Sequence, residues 1–159
     1  TKAGQLGSLM WIGGALGAPA IALLHMRMNS YKYPTIIYAL GAAACILGLC
    51  LTTNDSEIIS AGLILGTGFF GAGATTLGFG YAMQLCAINL AGTVTAFINF
   101  MLFIISGVMM VIPGKLVDAG IGETLSTTLL VLPTSLAITA IAVAVLYRED
   151  MFPNDATES

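Results

Sequence analysis

Between Glu57 and Lys115 the chain carries no Asp, Glu, Lys or Arg. A soluble domain averages about 25% charged residues; this chain of 159 residues has 8%, against 57% hydrophobic. A water-soluble fold of this length could not hide so much apolar surface, so the expected solvent is lipid. A spanning helix needs roughly 20 mostly apolar residues, and about five such spans fit, near 5–26, 34–53, 58–84, 91–114 and 124–147. The expected fold class is all-α, a polytopic transmembrane helix bundle. One transmembrane domain fills residues 1–150, and 151–159 form a disordered, acidic tail.

Local signals place the span ends. Pro34 suits a first helical turn. Ser56 is an expected N-cap for the third span, with Glu57 favourable in its first turn. The uncharged stretch breaks near Gln84–Gly92 into two helices. With five spans the two ends lie on opposite sides. Arg27, Lys32 and Arg148 fall on one side, Lys2 and Lys115 on the other, so the 27–32 link and the C-terminus are expected to be cytoplasmic.

Several classes drop out. A net charge of −3 with five Lys/Arg cannot neutralise a phosphate track, so no nucleic-acid partner is expected. Cys45, Cys50 and Cys86 sit in apolar runs without CxxC or Cys/His spacing and read as small buried hydrophobes, not metal ligands. No HExxH, GxSxG, P-loop or intramembrane Asp pair appears, so no enzyme, metal or cofactor is expected. A channel would want a ring of charged or carbonyl ligands, and none is visible. The chain opens Thr1-Lys-Ala-Gly-Gln with no basic segment and cleavage pattern, so no signal peptide is expected and the chain reads as the later part of a longer polypeptide.

Glycine is the main bias. Gly13 and Gly17 form one GxxxG pair and Gly62 and Gly66 another, the spacing that lets helix backbones approach closely in lipid. Gly68, Gly71, Gly73, Gly78 and Gly80 continue the third span. They read as packing residues or as the source of a pliable helix in a protein that rocks between states.

The segment Ala91-Gly-Thr-Val-Thr-Ala-Phe-Ile-Asn-Phe, followed by Ser106-Gly107 and Pro113-Gly-Lys-Leu-Val-Asp118, resembles the eleventh helix of the major facilitator superfamily. Gln5-Leu-Gly-Ser-Leu, then Gly13, Gly17, Pro19 and a basic link, resembles the eighth helix and the loop after it. Of that loop's basic signature only Arg27 and Lys32 stand here. On this register the five spans match helices eight to twelve of a major-facilitator fold. The resemblance implies partners: a seventh helix and an N-terminal six-helix half of the same transporter, besides the bilayer. It also implies a secondary transporter in the plasma membrane (the inner membrane of a bacterial cell), with a midplane cavity that takes a small organic solute by alternating access.

Candidate cavity residues are the polar and aromatic groups inside spans: Trp11, Thr67, Phe70, Thr75, Asn99 and Phe103. Each has a plainer reading. Asn99 could join two helices by a hydrogen bond. Thr67, Thr75 and Thr76 could bond back to their own helix. Trp11 could sit in an aromatic belt, and Phe70 and Phe103 could be packing or lipid-facing. His25, at a span end, reads as a headgroup-level residue or a proton relay. No charged group lies clearly inside a span, so ion coupling would need a residue from elsewhere in the carrier. The alternative function is a small non-transporting membrane subunit that assembles through glycine-rich helix faces.

Overall fold

The computed structural model describes residues 2–52, 56–120 and 128–146, and these are helical with no strand among them. In chain order they form α1 (Lys2–Met28), α2 (Lys32–Leu51), α3 (Glu57–Gln84), a 3₁₀ turn (Ile88–Leu90), α4 (Ala91–Asp118) and α5 (Val131–Leu146). Four stretches are long and apolar enough to cross a membrane: Gly4–Met28, Lys32–Leu51, Glu57–Gln84 and Ile88–Asp118. The described part of α5 has 16 residues. The rest of the span expected over 124–147, and the tail at 151–159, lie largely or wholly outside the described residues.

Helix ends follow local chemistry. Ser56 has extended backbone (φ −147°, ψ 107°), and its side chain accepts a hydrogen bond from the Ile59 N–H at 3.5 Å, so it caps α3 as the sequence predicts. The break after Gln84 is real: three residues intervene before the 3₁₀ turn leads into α4. The fourth helix, however, runs on through Pro113 to Asp118, beyond the end expected at Gly114. Proline lacks an N–H but keeps a helical φ, so it can sit in a helix at the loss of one ladder bond. The stop comes at Gly120, whose φ of +71° is open to glycine.

The tightest contact joins α1 to α3. A Cβ added to Gly13 would overlap the Leu65 carbonyl oxygen, one on Gly17 the Phe69 oxygen, and one on Gly68 the Met10 oxygen. Residues from the starts of both helices, 5, 6 and 9 of α1 and 57, 58, 60 and 61 of α3, line one cleft, so α1 and α3 run parallel. Helix α2 runs against both: Gly73 receives the Tyr38 ring, Gly41 the Phe70 ring, Gly66 the Cys45 sulfur and Gly48 the Leu63 side chain. Ile21, Tyr38 and Leu77, one from each helix, form the core, with Leu24, Tyr31, Phe69, Phe70 and Ala74 packed against it. Helix α5 lies against α2, and the buried residues on these two include Ala39, Ala42, Ala43 and Ala140. Helix α4 touches its described neighbours mainly at its own start, near the end of α3 and the 3₁₀ turn.

The second expected glycine pair divides. Gly66 packs on Cys45, whereas Gly62 faces open space; the glycines of α3 set against α1 are Gly68 and, beside the Tyr38 ring, Gly73. A Gly17→Val change should lower stability by up to about 3 kcal/mol, since backbone cannot make room for the branched side chain. Gly7→Ala, with nothing near it, should leave stability unchanged or slightly higher. Thermal unfolding of the full-length protein in detergent reads both, and equal melting temperatures for Gly17→Val and the wild type would contradict the contact.

Candidate functional site

The six cavity candidates do not converge on one described pocket. Trp11 is 82% exposed on the outside of α1, and Phe103 is 78% exposed on α4. Asn99 is exposed one turn before Phe103, with no hydrogen-bond partner among the described residues. Phe70 lies between α2 and α3, edge-on to Tyr38 and to Phe69 at centroid distances of 5.3 Å in both cases. It is therefore part of the core that joins the helices. The threonines satisfy themselves: Thr67 donates to the Leu63 carbonyl at 2.9 Å, Thr75 to Gly71 at 3.1 Å and Thr76 to Ala72 at 2.9 Å. Back-bonding leaves each hydroxyl oxygen able to accept a further hydrogen bond.

Two polar features are assembled, one at each end of the α1–α3 pair. Between the starts of the two helices lies an open cleft of about 490 Å³. Gln5, Ser56, Glu57 and Ser60 give it polar groups, and Leu6, Leu9, Ile58 and Ala61 form its apolar wall. Parallel packing produces it, since the two helix starts end up side by side.

At the other end, the corner between α1 and α2 is clamped to the end of α3. Only Asn29, Ser30 and Tyr31 separate the two helices, and Asn29 turns the chain with φ +46°, a conformation that Asn tolerates better than most residues. The His25 Nδ1 lies 3.0 Å from the Ser30 carbonyl oxygen. That contact requires Nδ1–H as donor and leaves Nε2 as the second ring nitrogen. The His25 ring lies over Tyr31 at 3.9 Å, and Tyr31 meets Tyr81 of α3 at 5.6 Å. The Tyr31 hydroxyl is hydrogen-bonded to the Gln84 side chain. Burial pushes the Tyr31 phenol above its ordinary range, and the Gln84 hydrogen bond partly offsets this. In the sequence His25 and Gln84 are separate span-end residues, and nothing local links position 31 to 81 or 84.

Cys45, Cys50 and Cys86 are free thiols. Among the described residues no group of three His, Cys, Asp or Glu could hold a metal ion. Searches against family models, curated proteins and solved structures find no match for the chain.

The Tyr31 geometry has a pH consequence. A phenol partly removed from water holds its proton more tightly in the folded protein than in the unfolded chain, where its pKa is near 10. Its contribution to stability is complete below that value and is lost as the pH rises past it. In an ultraviolet pH titration, the difference between wild type and Tyr31→Phe should ionise above the midpoint of a free tyrosine. Gln84→Ala, which removes the offsetting hydrogen bond, should raise that midpoint further. A lower midpoint in Gln84→Ala would refute the assignment.

Proposed function

We propose that the chain is the C-terminal portion of a major-facilitator secondary carrier that moves a small organic solute by alternating access. The observation that carries the reading is the state of α4. It is apolar enough to span a bilayer, yet Pro113 alone of its residues is buried, and Asn99 stands toward its middle without a partner among the described residues. An amide held in hydrocarbon is costly unless bonded, so this face calls for polar company from protein, solute or a wet cavity. The open glycines Gly62, Gly71 and Gly78 on α3, and Gly107 on α4, leave further backbone for close approach. A seventh helix and a six-helix half would cover these surfaces, with the C-terminus on the cytoplasmic side of the cell membrane.

The other reading, a non-transporting subunit that assembles through its glycines, would have to use the same open positions. Gly13, Gly17 and Gly68 are used inside the chain, against backbone carbonyls, so they are not offered to a partner.

The test begins with the native polypeptide. About 400 residues and twelve spans of roughly 20 residues each fit a carrier; a native product of only 16.4 kDa would sink it. The full-length protein, reconstituted in liposomes, is then screened for uptake of a panel of small organic solutes. Asn99→Ala should shift uptake kinetics severalfold while membrane insertion stays at the wild-type level, in keeping with a polar contact of about 0.6–2 kcal/mol. Unchanged kinetics would make Asn99 a packing residue.

A further inference from the structure

The α1–α2 corner displays two cations that its internal hydrogen bonds do not use. Arg27 is exposed in the last turn of α1, and Lys32, half-buried, opens α2. Neither side chain has an ion-pair or hydrogen-bond partner among the described residues. The carboxylates among those residues, Glu57 and Asp118, lie at the opposite end of the helices. The corner is stiff. Besides the His25 contact, the Lys32 N–H donates to Ser30 Oγ at 3.2 Å. The Thr35 hydroxyl and N–H both donate to the Tyr31 carbonyl, at 2.7 and 3.3 Å. The two cations therefore stand at fixed stations on either side of a three-residue turn. Leu23 and Met26, on the helix leading up to Arg27, are exposed and apolar, as is Tyr33 beside Lys32.

We propose that this corner is a binding surface for an anionic phospholipid, whose phosphate lies between Arg27 and Lys32 and whose acyl chains run along Leu23 and Met26. A soluble anion would answer the cations and leave the neighbouring apolar side chains bare. A neutral lipid would cover those side chains and leave the cations without counter-charge. Basic side chains at a span end gain from an anionic leaflet, and their stems can lie along apolar surface while the charge stays at headgroup level. The proposal does not rest on the transport reading.

The test titrates the full-length protein, delipidated in neutral detergent, with short-chain phosphatidylglycerol, phosphatidylcholine and glycerol phosphate, following the thermal shift. Each cation should contribute about fivefold, so phosphatidylglycerol should bind roughly thirtyfold tighter than phosphatidylcholine. The preference should shrink in about 1 M salt, where charges are screened within about 3 Å. An Arg27→Gln/Lys32→Gln variant should lose the preference and still bind phosphatidylcholine as the wild type does, while Lys115→Gln keeps it. Equal binding of the two lipids by the wild type would overturn the proposal, as would a preference that survives in the double variant. Glycerol phosphate binding as tightly as phosphatidylglycerol would make the corner a soluble-anion site and also overturn it. Should the double variant fail to fold, the wild-type salt response decides, and a preference indifferent to salt refutes the assignment.

Discussion

Everything in the described bundle depends on how closely α1 and α3 approach. In lipid no hydrophobic force drives two apolar helices together, because the tails are as apolar as the side chains. What remains is dispersion at short range and weak Cα–H···O contact, and both need backbone against backbone. Gly13 and Gly17 present Cα atoms to the Leu65 and Phe69 carbonyls, and Gly68 returns the contact to Met10. Because the contact is parallel, it fixes both ends at once. The helix starts flank the open cleft, and the helix ends stand where the α1–α2 corner can reach Tyr81 and Gln84.

Helix α2 is held by a different device. Where α1 meets α3 through missing side chains on both helices, α2 and α3 alternate rings and gaps. Tyr38 fills the gap at Gly73, and Phe70 fills the gap at Gly41. Tyr38 also stacks on Phe69 at 5.6 Å, a separation at which aromatic pairs contribute beyond their area. Of the α3 glycines that the sequence offers as sources of pliancy, Gly73 is thereby taken up as the seat of an aromatic ring. Pliancy in α3 is left to positions such as Gly62, Gly71 and Gly78, which face open space.

The sequence was most readable where the chemistry is local. The cap at Ser56 needs only a hydroxyl three residues before an N–H, and the break after Gln84 needs only a change in pattern. Threonines inside apolar helices have one nearby acceptor each, so their back-bonding follows from spacing alone. Legibility ends where the partner is distant in the chain. The Gly62/Gly66 spacing is the same as that of Gly13/Gly17, but spacing does not say which side of a helix meets a neighbour. That side was chosen by the α1 contact, at Gly68. Phe70 offers both a cavity-wall reading and the plainer packing one, and the positions of Tyr38 and Gly41 put it in the core. The His25–Tyr31–Tyr81–Gln84 clamp joins residues more than fifty positions apart, and no local pattern announces it.

The contrast between the two halves of the chain bears on how it could move. Helices α1, α2 and α3 form one body with a continuous core, tied at the corner by hydrogen bonds and ring contacts. Helix α4 meets that body mainly near its own start, where the Thr95 hydroxyl donates to the Met83 sulfur at 3.6 Å. Packed cores resist continuous deformation, and large motions fall between packed units, at short connections. Leu85–Ala87 is such a connection, with the 3₁₀ turn just after it. On the carrier reading the other half would rock against this one, leaving the glycine contact within α1–α3 intact. The closest backbone contact thus lies within α1–α3, and Asn99, without a partner among the described residues, lies on α4.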